Sequence, residues 1–325
     1  MGSPRTLAFA WCLLPFTLAW GASNIREVAA FPQGVWLENL AVRANGDLLV
    51  TRVDAAQVIS VDYRNGQNEV AFDFPHTTAV LGIAEVVPDV FAVATGNYSV
   101  ATGTTIGSYS IWVLDLSSGE LKALKAADVP PGGTLNGVTR LDDEHVLVAD
   151  TVFGVVYRVN IRTGAFTVAL SGPEYEARAG PGPRFGVNGL RIVGSTLYFT
   201  NTGAKTLSRV AIHADGTANG TIEVLSDDLE MPDDFAIGPN GDVFVTLHGA
   251  SAVDQLPAGG RKTRIAGGSD STDFASPTAA HFGRAPGDTQ TLYVVTGGAR
   301  DEAGSALTPA KILAIDAQPK GREDL

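Results

Sequence analysis

Cysteine is almost missing from this chain: among 325 residues the single one is Cys12. It falls in an apolar stretch, residues 7–20, that follows a start containing Arg5 and leads into the small residues Gly21, Ala22 and Ser23. A bilayer span needs roughly 18 or more apolar residues, so this stretch is too short for one and has the shape of a secretory signal peptide. The expectation is a signal over residues 1–22, a mature domain over 23–325 with no thiol or disulfide chemistry, and a secreted or secretory-pathway protein without a stable membrane span. An uncleaved amino-terminal anchor is the alternative.

Positive charge is also scarce. Against 35 Asp and Glu there are 23 Lys and Arg, a net charge of −12, which removes the electrostatic footprint of a nucleic-acid binder and disfavours acidic lipid surfaces. Helical periodicity is not sustained anywhere, and no nucleophile elbow, phosphate loop, zinc motif or dinucleotide fingerprint is present. What remains is apolar and rich in turns. Hydrophobic residues make up 45% and charged residues 18%, with 37 Gly and 17 Pro, a composition for an ordered globule rather than a disordered tail. Two acceptor sequons, at Asn97 and Asn219, are compatible with glycosylation on a secretory route.

Internal repetition organises the chain. Residues 38–51 (ENLAVRANGDLLVT) align without a gap on residues 233–246 (DDFAIGPNGDVFVT). Each is a strand, an Asn-Gly-Asp hairpin turn and a second strand. Copies start at Asn136 and Asn188, and weaker ones near Gly82 and Thr278. Third strands follow at 58–62, 110–115, 155–160, 207–210 and 312–316. Six units spaced by roughly 45 to 55 residues predict an all-β, six-bladed β-propeller with four antiparallel strands per blade.

In a propeller the first strand of each blade lines the central channel, and its start meets the end of the second strand at one mouth. The aligned first-strand positions are Glu38, Gly82, Asn136, Asn188, Asp233 and Thr278. Oxygen donors at Glu38, Asn136, Asn188 and Asp233, without a Cys or His cluster, suit a hard cation such as Ca²⁺. Because Asn and Asp also form turns at strand starts, part of this pattern has a purely structural explanation. Second-strand ends supply Arg52, Asn97, Asp150, Asn201, His248 and Thr296. Among these, Arg52, Asp150 and His248 are the expected catalytic groups, able to move a proton or orient a hydrogen bond. Trp36, Asn97, Tyr98, Phe153, Phe185, Asn201 and Thr296 are the expected substrate-binding rim. His281 reads as a satisfied core histidine.

The quartet Glu38, Asn136, Asn188 and Asp233 resembles the Ca²⁺-coordinating set of the SMP-30/gluconolactonase superfamily of six-bladed propellers, over essentially the whole mature chain. The runs 36–43 (WLENLAVR), 81–86 (LGIAEV) with 88–91 (PDVF), and 233–236 (DDFA) are similar to a fungal secondary-metabolism branch. Some members of it are hetero-Diels-Alderases that join a tropolone-derived quinone methide to a humulene-type alkene. The resemblance implies a biosynthetic pericyclase acting on apolar natural-product intermediates and no nucleotide cofactor. The alternatives are a Ca²⁺-dependent lactonase or esterase, and a noncatalytic ligand-binding propeller. A fold shared by several chemistries does not choose among these.

Overall fold

Alternating β-branched and apolar residues on either side of Asn-Gly-Asp turns make hairpins, and in a computed structural model these hairpins are ordered around one axis. The structure describes residues 25–177, 184–258, 260–301 and 303–317. The expected signal segment, with Cys12, lies outside the described residues.

Six four-stranded antiparallel sheets form the six blades of a β-propeller. Blade 1 contains Leu37–Val42, Leu48–Arg52, Gln57–Val61 and Asn68–Asp73, and blade 2 contains Ala79–Val87, Val90–Gly96, Ser110–Asp115 and Lys122–Asp128. Leu135–Arg140, His145–Asp150, Val155–Asn160 and Phe166–Ser171 form blade 3, and Val187–Val193, Thr196–Asn201, Thr206–Ala211 and Glu223–Ser226 form blade 4. Blade 5 contains Pro232–Ile237, Val243–Leu247, Ala252–Leu256 and Thr263–Gly267. Blade 6 takes Pro277–Phe282, Thr291–Thr296 and Lys311–Asp316 from the carboxy-terminal side, and its outer strand is Ile25–Ala30 from the amino-terminal side. That strand runs antiparallel to Lys311–Asp316, with Ile25 opposite Ile315 and Ala30 opposite Lys311. Closure is therefore a β-sheet joint between the two ends of the described chain, which leaves no blade open.

The inner strand of blades 1 to 5 carries a bulge at one repeated place. In blade 1 Leu37 lies opposite Arg52 and Leu40 opposite Val50, so Glu38 and Asn39 together face Thr51. The same shift separates Val80 from Ile83, Leu135 from Val138, Val187 from Leu190 and Pro232 from Phe235. A bulge frees backbone groups from the ladder. Threonine hydroxyls recover some of them: Asn39 N–H donates to Thr51 Oγ1 at 2.9 Å and Gly189 N–H to Thr200 Oγ1 at 2.9 Å. The second bulge residue sits hard against the next blade, where a Cβ on Gly137 would lie 2.1 Å from the Asn188 carbonyl oxygen. Asn39 and Asp234 hold this position in blades 1 and 5, and Asn39 Nδ2 donates to Asp234 Oδ2 at 3.0 Å. Arg191 donates to the same oxygen at 2.9 Å, tying blades 1, 4 and 5 together next to the inner ring.

Candidate functional site

The first residue of each bulge forms the inner ring: Glu38, Leu81, Asn136, Asn188 and Asp233. Sequence alignment gives Gly82 for blade 2, but the register puts Leu81 beside Val80 at the position of Glu38. Leu81 lines the pocket, and Gly82 takes the second bulge place. In blade 6 Thr278 is buried, and its hydroxyl donates to the carbonyls of Leu37 and Val295 at 3.0 and 3.2 Å rather than lining the pocket.

The pocket at this mouth encloses about 610 Å³, counting the space open to solvent, and is lined by Trp36, Glu38, Leu81, Tyr98, Asn136, Phe185, Asn188, Asp233 and His248, with Val53, Thr134, Thr151, Thr202 and Met231. The structure thus brings together all four of Glu38, Asn136, Asn188 and Asp233, which lie on blades 1, 3, 4 and 5. Asn136 Nδ2 donates to Glu38 Oε1 at 3.0 Å, and Asn188 Nδ2 to Asp233 Oδ1 at 2.8 Å. Trp36 Nε1 donates to Glu38 Oε2 at 3.1 Å. The Trp36 ring stacks on His248 with centroids 6.0 Å apart, and the Arg300 guanidinium lies 5.0 Å from its centroid. Gly297 makes this placement possible, since a Cβ there would come within 2.9 Å of Trp36 Nε1.

Burial controls the electrostatics. Glu38 is pushed up to about 7, first by burial and further by the neighbouring Asp234, against the hydrogen bonds from Asn136 and Trp36. Asp233 is raised well above the usual carboxylate range by burial, then by the charges of Glu38 and Asp234. Burial also drives His248 down to about 4, so its imidazole is neutral near pH 7. Its Nδ1 lies 3.9 Å from Asp233 Oδ2, beyond hydrogen-bond reach. The neutral imidazole of His248 can offer an N–H donor to a bound oxygen. His281, in the inner strand of blade 6, is likewise held near 4 by burial, and its Nδ1 lies 2.8 Å from the Phe282 carbonyl.

No protein-family profile matches the chain. A protein of Sarocladium schorii named as a hetero-Diels-Alderase is 29% identical over 311 residues, covering 83% of this chain and 77% of that protein. A Phoma protein of the same name is 26% identical over 300 residues, covering 83% and 85%. The calcium-binding protein regucalcin of Agrobacterium tumefaciens shares the fold, with a TM-score of 0.58 at 17% identity over 90% of this chain and 95% of its own. The chain thus resembles proteins named as hetero-Diels-Alderases and shares the six-bladed propeller fold of regucalcin. A likeness of this extent supports an enzyme acting on small molecules. No helix among the described residues is long and apolar enough to cross a membrane.

Strand parity separates the remaining expected residues. Arg52, Asp150, Asn201 and Thr296 lie directly opposite Leu37, Leu135, Val187 and Pro277, and directly opposed residues share a face. Successive side chains alternate, so it is the following residues, Val53, Thr151 and Thr202, that reach the pocket. His248 follows Leu247, the partner of Pro232, and reaches it by the same parity. Arg52 is instead ion-paired with Asp54 and bonded to Gln57. Asn201 holds the carbonyls of Glu174 and Glu176 at 3.0 and 2.8 Å, and Thr296 Oγ1 accepts from Lys311 N–H at 2.8 Å. Trp36, Tyr98 and Phe185 line the pocket, whereas Asn97 and the exposed Phe153 are outside its lining. Of the two sequon asparagines, Asn219 is exposed and Asn97 half-buried. The parity of the bulge hid Val53, Leu81, Thr151 and Thr202 from the sequence reading, and Met231 lies at the place that Trp36 holds in blade 1.

Asp150 is fully buried, and its carboxylate accepts backbone N–H groups of Gly133, Thr134, Val152 and Phe153 at 2.8, 3.2, 3.1 and 3.0 Å. It organises the loop beside the pocket rather than facing it. Since a hydrogen bond to a charged group contributes about 1.5–3 kcal/mol, Asp150→Ala is expected to cost at least about 3 kcal/mol of stability. Urea unfolding measures this; a variant as stable as the parent would remove the structural role.

Proposed function

We propose that the protein catalyses a hetero-Diels–Alder cycloaddition between an oxygen-bearing heterodiene of quinone-methide type and a terpene alkene. The observation that carries this reading is a pocket with aromatic and aliphatic walls in which the neutral, half-buried imidazole of His248 offers a hydrogen-bond donor. The reaction needs no leaving group and no net proton transfer. Four π electrons of the C=C–C=O unit and two of the alkene reorganise into one C–C bond, one C–O bond and one new C=C, giving a dihydropyran with every atom retained. The protein's tasks are to hold the partners face to face and to donate a hydrogen bond to the heterodiene oxygen as electron density shifts towards it. His248 N–H is the candidate donor for the second task. Trp36, Leu81 and Phe185 serve the first and exclude water.

The inner ring also fits a Ca²⁺ ion. Its donors are two carboxylates and two amides, Asn188 Oδ1 is buried without a hydrogen-bond partner, and both acids are raised in pKa with no basic side chain bonded to them. Among the described residues no group of three or more Asp, Glu, His or Cys side chains is arranged to hold a metal, so half of the oxygens of this ring would have to come from amides. Glu38, Asn136, Asn188 and Asp233 would hold the ion, which when bound supplies a positive centre able to polarise a carbonyl and to brace four blades.

The purified protein, tested with a quinone methide generated in situ plus a sesquiterpene alkene, and separately with a panel of lactones, should accelerate formation of one cycloadduct stereoisomer and leave the lactones intact. Ca²⁺-dependent lactone hydrolysis without faster or more selective adduct formation would replace this reading with the hydrolase.

A further inference from the structure

The polar groups of the pocket are not spread evenly around the propeller axis. Blade 1 contributes Val53 and blade 2 contributes Leu81 and Tyr98, while the residue corresponding to Val53 in blade 2 is Gly96. The one acid on this side, Glu38, has both oxygens engaged, one by Asn136 and the other by Trp36. In the blades across the axis the corresponding places are Thr151, Thr202 and His248. Thr202 is committed, donating to the Pro232 carbonyl at 2.8 Å and accepting from Asn188 at 3.1 Å. Thr151 Oγ1 has only a long contact, 3.4 Å to the Thr134 carbonyl, and the nearest acidic oxygen to the His248 ring is 3.9 Å away. Unused hydrogen-bonding capacity therefore lies on blades 3 to 5, at Thr134 Oγ1, Thr151, Asn188 Oδ1 and His248, where Phe185 and Met231 are the apolar lining, and the aliphatic surface of Val53 and Leu81 lies on blades 1 and 2. In a ring of six, blade 2 stands opposite blade 5, so Leu81 and His248 face each other across the axis.

We infer that the pocket is divided into two subsites: a hydrocarbon subsite formed by Val53 and Leu81, and an oxygen-accepting subsite formed by Thr151 and His248. The assignment rests on the cycloaddition reading for why two different molecules should meet here. It follows physically because an unpaired polar group costs free energy when an alkane-like surface covers it, whereas the same surface gains when it covers Leu or Val. The alkene is thus directed to blades 1 and 2 and the heterodiene oxygen to His248, which fixes which faces meet. Trp36, packed on His248 and bonded to Glu38, spans the blade 6 sector and bounds both subsites.

The test is binding, measured by titration calorimetry on the full-length protein with α-humulene as the hydrocarbon probe and tropolone as the oxygenated one. Leu81→Ala removes buried methylenes and should weaken α-humulene about tenfold while tropolone affinity stays unchanged. Val53→Ala is the second variant on this side should Leu81→Ala fail to fold. His248→Phe should do the reverse, weakening tropolone and sparing α-humulene. With tropolone saturating, α-humulene should still bind, because the two occupy different halves. Equal losses of both probes in each variant, or mutual exclusion of the probes, would overturn the division while leaving a cycloaddition site possible. Failure of the parent protein to bind either probe would overturn the division and the cycloaddition reading together.

Discussion

A chain deleted through Phe31 is expected to melt well below one that begins at Ile25. Blade 6 is completed by Ile25–Ala30, so deletion leaves Lys311–Asp316 as a bare edge with a row of unpaired N–H and C=O groups. It also removes Val28, Ala29 and Phe31 from the core they share with Leu37, Ala310, Ile312 and Ala314. The Phe31 N–H bond to Ala310 O at 2.9 Å and the Lys311–Glu27 ion pair at 2.9 Å go with them. Burial of two large apolar side chains contributes about 1.5–3 kcal/mol each, and the exposed ion pair adds little. The lost strand pairing acts in the same direction, because it is what joins the first-blade side of the ring to the last. Against a total of about 5–15 kcal/mol for a domain, a combined loss of about 5 kcal/mol should lower Tm by about 10 °C or more. Calorimetry on the two truncations decides the matter: a chain without residues 1–31 that melts like the longer one would show that the ring closes without its sheet joint.

The blades were legible because each inner hairpin repeats one solution to one constraint. Residues 38–51 and 233–246 share the Asn-Gly-Asp turn and the apolar alternation around it, and they occupy equivalent places in blades 1 and 5. The closing strand was not legible. An outer strand packs mainly on one face, and Ile25–Ala30, with three exposed residues at its start, has no counterpart in the inner repeats. The site was legible where the first bulge residue is polar, as at Glu38, Asn136, Asn188 and Asp233. Blade 2 misled the alignment because Leu81 carries no oxygen and the adjacent Gly82 resembles Gly137 and Gly189 in the second bulge place. Each bulge adds one residue without changing the pattern of apolar side chains, so counting from the turn does not reveal which face the end of the second strand presents. Arg52 and Asp150 were displaced from the pocket by that single step of parity, and the same step would have pointed to Val53 and Thr151. Threonines at 51, 200 and 246, opposite the bulges, are the signal that marks the register.

Glu38→Gln should stabilise the calcium-free protein far more at pH 8 than at pH 5, and should remove most of its stabilisation by Ca²⁺. In the folded protein Glu38 titrates near 7 instead of 4.5, chiefly because it is buried. A raised carboxylate pKa means that the native state holds a proton which the unfolded chain has already released. Stability from this group therefore falls as pH climbs from about 4.5 to about 7, and the full cost, roughly 3 kcal/mol, is present above that window. His248 and His281 act in the opposite sense. Each is held near 4, so the unfolded chain gains protons before the native state does, and stability falls as pH drops from 6.5 towards 4. The total profile of the parent protein mixes these slopes, and the difference between Glu38→Gln and parent removes the histidine contributions and leaves that of Glu38 with the Asp233 carboxyl coupled to it. In urea unfolding with a chelator present, that difference should grow by roughly 3 kcal/mol between pH 5 and pH 8. Asp233, raised by the same burial and by Glu38 itself, should relax downward once the neighbouring charge is gone. A Ca²⁺ ion held in the ring as proposed would reverse the sign, because a cation favours the ionised acids and its binding releases protons, so it should raise the Tm of the parent more at pH 8 than at pH 5. Glu38→Gln keeps an oxygen at the ring but loses the charge, and its Tm should barely respond to the ion. An equal loss of stability at both pH values in chelator, or an unchanged calcium response in the variant, would show that Glu38 is neither the strained acid nor a ligand.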